Sequence, residues 1–184
     1  MLILGIAGNV GVAAYGVVAN LSLIAMAIFN GISQGVQPLT SKSYGYGNKD
    51  EVMTLLRLGI FVSLAVEAVI VVVVWNFTDI LVGIFNSEGN ERLLYLAHDG
   101  LRLYFLGYLS AGINILLVSY FAATARVKQA FVASVLRGAL AIAVCAVVMA
   151  KLWGIYGVWL SFLVSELLTF AVILMMGRNR KSSF

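Results

Sequence analysis

Residues 55–77 read LLRLGIFVSLAVEAVIVVVVWNF, and this stretch decides the fold class. As an α-helix rising about 1.5 Å per residue it spans a hydrocarbon core of about 30 Å, with Arg57 and Glu67 its only charges. Residues 13–39, 101–123, 130–150 and 155–176 meet the same test of length and apolarity. Met1–Ile6 reads as the end of a further helix whose body lies outside the chain. The predicted fold is therefore an all-α membrane bundle: one domain over residues 1–184, with five transmembrane helices and the end of a sixth.

Composition supports this reading. Hydrophobic residues make up 62% of the 184 residues, charged residues 11%, and mean hydropathy is +1.01. A soluble domain is about half apolar and about a quarter charged, so the main solvent here is membrane lipid. The net charge of +4 does not imply nucleic-acid binding, because the basic residues cluster between apolar segments instead of forming one stripe. Met1 leads directly into Leu-Ile-Leu-Gly-Ile-Ala, so no signal peptide is expected. A single cysteine, Cys145, and a single histidine, His98, cannot build a metal cage; His98 is expected to be solvated or interfacial. There is no H-E-x-x-H motif and no P-loop lysine–serine pair, and an enzyme is disfavoured.

The connections are expected to be a glycine-rich charged break over residues 42–51, a longer polar segment over 76–99, and tight turns at 126–128 and 151–154. Residues 80–85 form an apolar patch in the second of these, suited to the membrane interface. Placing the 42–52 and 124–129 loops and the C-terminus together gathers Lys42, Lys49, Arg57, Arg126, Lys128, Arg178, Arg180 and Lys181 on one side. By the positive-inside rule that side is cytoplasmic, which gives a multi-pass protein of the inner membrane with a cytoplasmic C-terminus.

Ionisable groups at membrane depth are costly and mark candidate sites. Glu67, Asn114 and Glu166 lie near the middles of the second, third and fifth spans, and Arg137 lies about two turns into the fourth. Helix rise places Glu67, Glu166 and Arg137 at similar depth. Arg137 can pair with either glutamate or extend to the surface; the glutamates serve either as a structural brace or in transport. Gly59, Ser63 and Glu67 share one helix face, as do Gly157, Ser161, Ser165 and Thr169, with Gly107, Ala111, Asn114 and Val118 on a third. On the first span, Asn20, Ala27, Gly31, Gln34 and Pro38 form the expected inward side, and Pro38 can kink the helix.

Gly31–Asn48 (GISQGVQPLTSKSYGYGN), followed by a charged turn and a new span, resembles the multidrug and toxic compound extrusion (MATE) family. It looks like the eighth helix and following loop of the bacterial multidrug branch, with Gln34, Gly35, Gln37, Pro38, Tyr44, Gly45 and Gly47 carrying the likeness as motif or gating positions. Lys42 departs from the apolar or aromatic residue that pattern has. Gly5–Tyr15, Gly112–Asn114, Leu136–Gly138 and Gly154–Glu166 are similar to the link before that helix and to the tenth, eleventh and twelfth helices. The resemblance implies a twelve-helix transporter of two lobes, this chain being most of the C-terminal lobe and the N-terminal lobe its missing partner. It implies exchange of protons or sodium for cationic or amphipathic drugs, with no bound cofactor. Some branches place a coupling acid on the tenth helix, where this chain offers Asn114. Glu67, Asn114, Glu166 and Arg137, with Gln34 and Gln37, are the expected cavity or network residues. The alternatives are a lipid-linked oligosaccharide flippase of the same superfamily and a non-transporting membrane remnant or scaffold.

Overall fold

Two glycines in conformations that other residues rarely adopt divide the longest helical stretches. The structure, a computed structural model, describes residues 2–178, and among these every regular element is helical. Arg180, Lys181 and the rest of the C-terminal tail, on which the orientation reading partly rests, lie outside the described residues. Helix α1 (Leu2–Gly45) breaks at Gly8, where φ is 65° and ψ −161°. The short segment before it bends so close that a Cβ on Gly11 would strike Ala7. This separates the first residues from the long helix, as the sequence suggests.

The other break lies late in the chain. Val127–Gly177 is 51 residues of helix, which would extend about 77 Å if straight, far more than a bilayer core. It comprises α5 (Val127–Val135), a wide π-helical turn (Leu136–Leu140) and α6 (Ala141–Arg178). Inside α6 the backbone leaves helical geometry at Trp153 and Gly154, the latter at φ 58°, ψ −133°. Just beyond, Gly157 lies against the Met149 carbonyl so tightly that a Cβ there would collide with it. The chain reverses at this point, where the sequence places a tight turn.

Helix α2 (Lys49–Gly83) begins at a well-formed cap. Asn48 accepts a hydrogen bond from the Glu51 backbone N–H (3.2 Å), and its amide donates to the Glu51 carboxylate (3.0 Å). The charged break before it is shorter than expected: α1 runs to Gly45, and only residues 46–48 turn, with Gly47 at φ 72°. Pro38 does not interrupt α1, whose one non-helical residue is Gly8. The long polar segment expected over 76–99 is mostly helical as well. α2 passes through a distortion at Phe77 and ends at Gly83, and α3 (Glu91–Phe105) starts at the Asn90 cap. Val82, in the patch expected at the interface, is fully buried.

The stretch expected to be one continuous third span is broken. α3 and α4 (Tyr108–Ala123) meet at 46° across Leu106–Gly107. The cause is packing: Gly107 sits against Phe162 of α6, where a Cβ would collide with the ring. Leu2–Gly45, Lys49–Gly83 and Val127–Gly177 are each long and apolar enough to cross a membrane, and the bent α3–α4 pair adds a fourth such unit.

Lipid tails are as apolar as leucine, so burial alone drives little helix association in a membrane; close packing and buried hydrogen bonds do more. Both are present. Gly59 of α2 receives Leu116 of α4, and Gly100 of α3 receives the Trp159 indole of α6, with would-be Cβ distances of 2.9 and 2.8 Å. Tyr108 donates a hydrogen bond from α4 to the Ser22 carbonyl of α1 (2.8 Å). Its ring stacks near Phe29 and Phe162 with centroids 5.9 and 5.1 Å apart, so α1, α4 and α6 share one aromatic core.

Candidate transport cavity and buried polar network

The polar network centres on Glu166 in α6, 2% exposed. Asn114 of α4, fully buried, donates from one amide nitrogen to the Glu166 carboxylate (2.7 Å) and to its backbone carbonyl (2.9 Å). Arg137 reaches the same carboxylate from the π-helical turn, its Nε 3.0 Å from Oε1 and 3.3 Å from Oε2. Of the two partners open to Arg137 from the sequence, the structure selects Glu166. The wide turn, held by the Ala141 N–H donating to the Leu136 carbonyl, is the local device that carries Arg137 to that pairing.

Glu67 stands apart from this pair. It is fully buried on α2, in line with Gly59 and Ser63, which are buried too. No side chain among the described residues pairs with its carboxylate, which faces the backbone of Gly112 and Ile113 on α4. Its Oε1 lies against Gly112 of α4, beside the Phe29 ring, where any larger residue than glycine would displace it. The Asn114 carbonyl oxygen and the Arg137 Nη2 are likewise buried without partners. Unsatisfied groups of this kind in a low-dielectric interior are costly and mark a place where a proton, an ion or a ligand group can be accommodated.

Beside the network opens a cavity of about 330 Å³ between α1, α4 and the α5–π-turn segment. Asn30, Ser33, Gln34 and Gln37 line it from α1, Ser119 from α4, and Ser134 and Arg137 from the opposite wall. Gln34 and Gln37 are therefore placed at the cavity. Of the expected inward side of the first span, Gln34 lines the cavity, whereas Asn20, Ala27, Gly31 and Pro38 are exposed and do not line it. The buried row on α1 is instead Ala14, Val18, Ser22, Ala25, Phe29 and Ser33. Asn20 spends its amide on the Gly16 carbonyl (2.8 Å). The residues at i, i+3, i+4 and i+7 from Asn30 are the signal that would have located the polar face. Gly35 and Tyr44 are exposed on α1, Gly45 ends that helix and Gly47 shapes the turn after it; none touches the cavity.

A second polar cluster was not foreseen. His98 of α3 lies between Asp99 (3.3 Å) and Asp79 of α2 (3.6 Å), and Tyr156 of α6 donates to Asp99 (3.2 Å) while sharing a hydrogen bond with Tyr95 (3.0 Å). His98, 26% exposed, is thus a partly covered link between helices, within the solvated or interfacial setting expected of it. Arg102 adds bonds to Thr78 (3.2 Å) and to the Trp75 carbonyl (3.0 Å). No group of three or more His, Cys, Asp or Glu among the described residues is arranged to hold a metal ion.

Comparison with known proteins places this arrangement. The MatE family model matches residues 1–147. The whole chain superposes on the inward-facing conformation of a multidrug resistance MATE family transporter of the MOP superfamily, with a TM-score of 0.90 at 17% identity, covering 100% of this chain and 43% of that one. The outward-facing conformation of a transporter so described gives 0.89 at 16% identity, with 99% and 41% covered. A mutant of the Vibrio cholerae MATE transporter VcmN gives 0.86 at 20% identity, with 97% and 41% covered. At these identities the likeness is one of fold, and the chain spans about two-fifths of the length of the solved structures it matches. Comparison with curated protein sequences gives no match. With a family model that accounts for most of its length and helices apolar enough to cross a membrane several times, the chain belongs to the MatE family as a multi-pass membrane protein.

Proposed function

We propose that this chain forms the C-terminal lobe of a secondary transporter that exports drugs or other amphipathic small molecules across the inner membrane, in exchange for protons or sodium. The carrying observation is a polar cavity and a buried carboxylate network inside an apolar helical bundle of this family. Such groups are expensive at membrane depth and are characteristically functional there. Substrate in transporters of this architectural kind sits near the midplane between two halves that rock against each other.

Two further features support the reading. The amides of Asn30, Gln34 and Gln37 are exposed on a helix whose other exposed residues include Leu23, Ile24 and Ile28. A polar face of this kind suits a water-filled interface with a second lobe better than it suits lipid. The chain also resembles an inward-facing and an outward-facing transporter equally well, as expected of a unit that keeps its internal packing while alternating access. In this scheme Glu67 and Glu166 take part in ion coupling, Glu67 as the acid without a side-chain partner. The positive-inside arrangement puts the C-terminus in the cytoplasm.

The test is efflux of a fluorescent drug from cells lacking their own pumps, expressing the complete transporter. Wild type should lower drug accumulation, and Glu67→Gln and Glu166→Gln, checked for folded protein in the membrane, should abolish the effect. Undiminished efflux in both variants would remove the carboxylates from the mechanism, and no efflux by wild type would remove the export reading itself.

A further inference from the structure

The charge of the cavity wall specifies the kind of head group it accepts. Arg137 is the one charged residue among those lining the cavity; the other polar groups there are the neutral amides of Asn30, Gln34 and Gln37 and the hydroxyls of Ser33, Ser119 and Ser134. Among the described residues no carboxylate lines the space. Glu166 lies behind Arg137 and engages the Nε edge of the guanidinium, and Glu67 is not part of the lining. The Nη2 nitrogen and the Ser119 hydroxyl are buried beside the cavity and have no hydrogen-bond partner among the described residues.

Guanidinium donors pair best with carboxylate or phosphate oxygens, two at a time and in plane. Amides and hydroxyls can turn their N–H and O–H groups toward an anion, and surroundings poor in water strengthen every such bond. A cationic head group would meet the opposite situation: a fixed like charge ahead of it and, among the described residues, no acid lining the cavity.

We propose that the cavity binds amphipathic molecules through an anionic head group, a carboxylate or phosphate held at the wall that Arg137, Gln34 and Gln37 line. This rests on the transport reading and narrows it: the substrates are organic acids or acidic lipids. Such a site discriminates against the quaternary and protonated amines that an acid-lined cavity would take.

The test uses two probes with the same apolar body, 1-pyrenebutyrate and its trimethylammonium counterpart, titrated by fluorescence against the complete transporter in phosphatidylcholine nanodiscs. The carboxylate should bind at least about tenfold more tightly. Gln34→Glu adds an acid to the lining without touching the Arg137–Glu166 pair, and should reverse the preference; Gln37→Glu repeats the test one turn along. Competition by added phosphatidylglycerol assigns the site to a lipid head group, and its absence assigns it to a soluble acid; either outcome keeps the anionic chemistry. Equal or tighter binding of the ammonium probe overturns the proposal, as does an unchanged ratio in both variants. Export of cationic ethidium without binding of pyrenebutyrate would sink this inference and leave the transport reading standing, whereas failure to bind or move any probe would sink both.

Discussion

Replacing Arg137 separately from Glu166, and then together with it, asks whether their ion pair holds the bundle together. Removing one member of a buried pair costs about 3–5 kcal/mol, because the survivor keeps its desolvation penalty without its partner. In Arg137→Gln the survivor is Glu166, whose side chain is 3% exposed, but Asn114 still donates to its carboxylate at 2.7 Å. That residual bond puts the expected loss at the lower end, about 3 kcal/mol. In Glu166→Gln the survivor is Arg137, 16% exposed and bordering the cavity, where water reaches it, and the loss falls to about 2 kcal/mol. The double variant Arg137→Gln/Glu166→Gln carries neither charge and should lose no more than the worse single variant, a coupling of about 2 kcal/mol. Unfolding of the purified protein in dodecylmaltoside micelles by added dodecyl sulfate, followed by helical circular dichroism, measures all four proteins. Losses that add to within about 0.5 kcal/mol would refute the claim that these two charges depend on each other.

Four further substitutions test the packing, each read out by the same unfolding curve. Gly107→Ala forces a methyl group into the Phe162 ring and to 3.0 Å from the Leu163 backbone nitrogen, costing about 1–3 kcal/mol, whereas Gly138→Ala, with open space around it, should be neutral or stabilising by up to about 1 kcal/mol. Equal effects at the two glycines would contradict the packing described. Gly154→Ala places a side chain at φ 58°, ψ −133° and should destabilise by about 1–3 kcal/mol; a wild-type curve would mean that the reversal there is built differently. Tyr108→Phe removes only the hydroxyl that bonds the Ser22 carbonyl and should cost about 1 kcal/mol, with the aromatic stack retained and no loss expected if that bond is absent in the membrane.

The apolar runs, the reversal at Lys151–Gly154 and the isolation of the first residues were legible because length and glycine placement report them directly. That Asn114, Glu166 and Arg137 can come level with one another was legible for the same reason, since helix rise converts sequence number into height. Azimuth was not. A helix that is apolar on both its lipid side and its packed side carries little periodic signal, so the face presented by α1 had to be read from scattered small and polar residues. Gln34 and Gln37 stand out that way, but Asn20 and Pro38 are grouped with Gln34 in place of Asn30 and Ser33, and nothing marks Phe29 as facing inward. Arg137's choice of Glu166 over Glu67 depends on which helices are neighbours, and no spacing within one helix encodes that. The bend at Leu106–Gly107 arises from a ring on another helix, and the grouping of His98 with Asp79 and Tyr156 needs three elements folded together.

The widened turn at Leu136–Leu140 amounts to one surplus residue wound into an otherwise ordinary helix. Each residue advances a helix by about 100°, so the insertion sets the phase of everything after it independently of everything before it. Ala133, buried against Phe121 and Ile173, lies before that phase slip, and the buried Cys145 and Met149 lie after it. Deleting Gly138 would leave a smoother rod whose two ends could no longer both be in register, and either the guanidinium or the lower seam would have to swing outward.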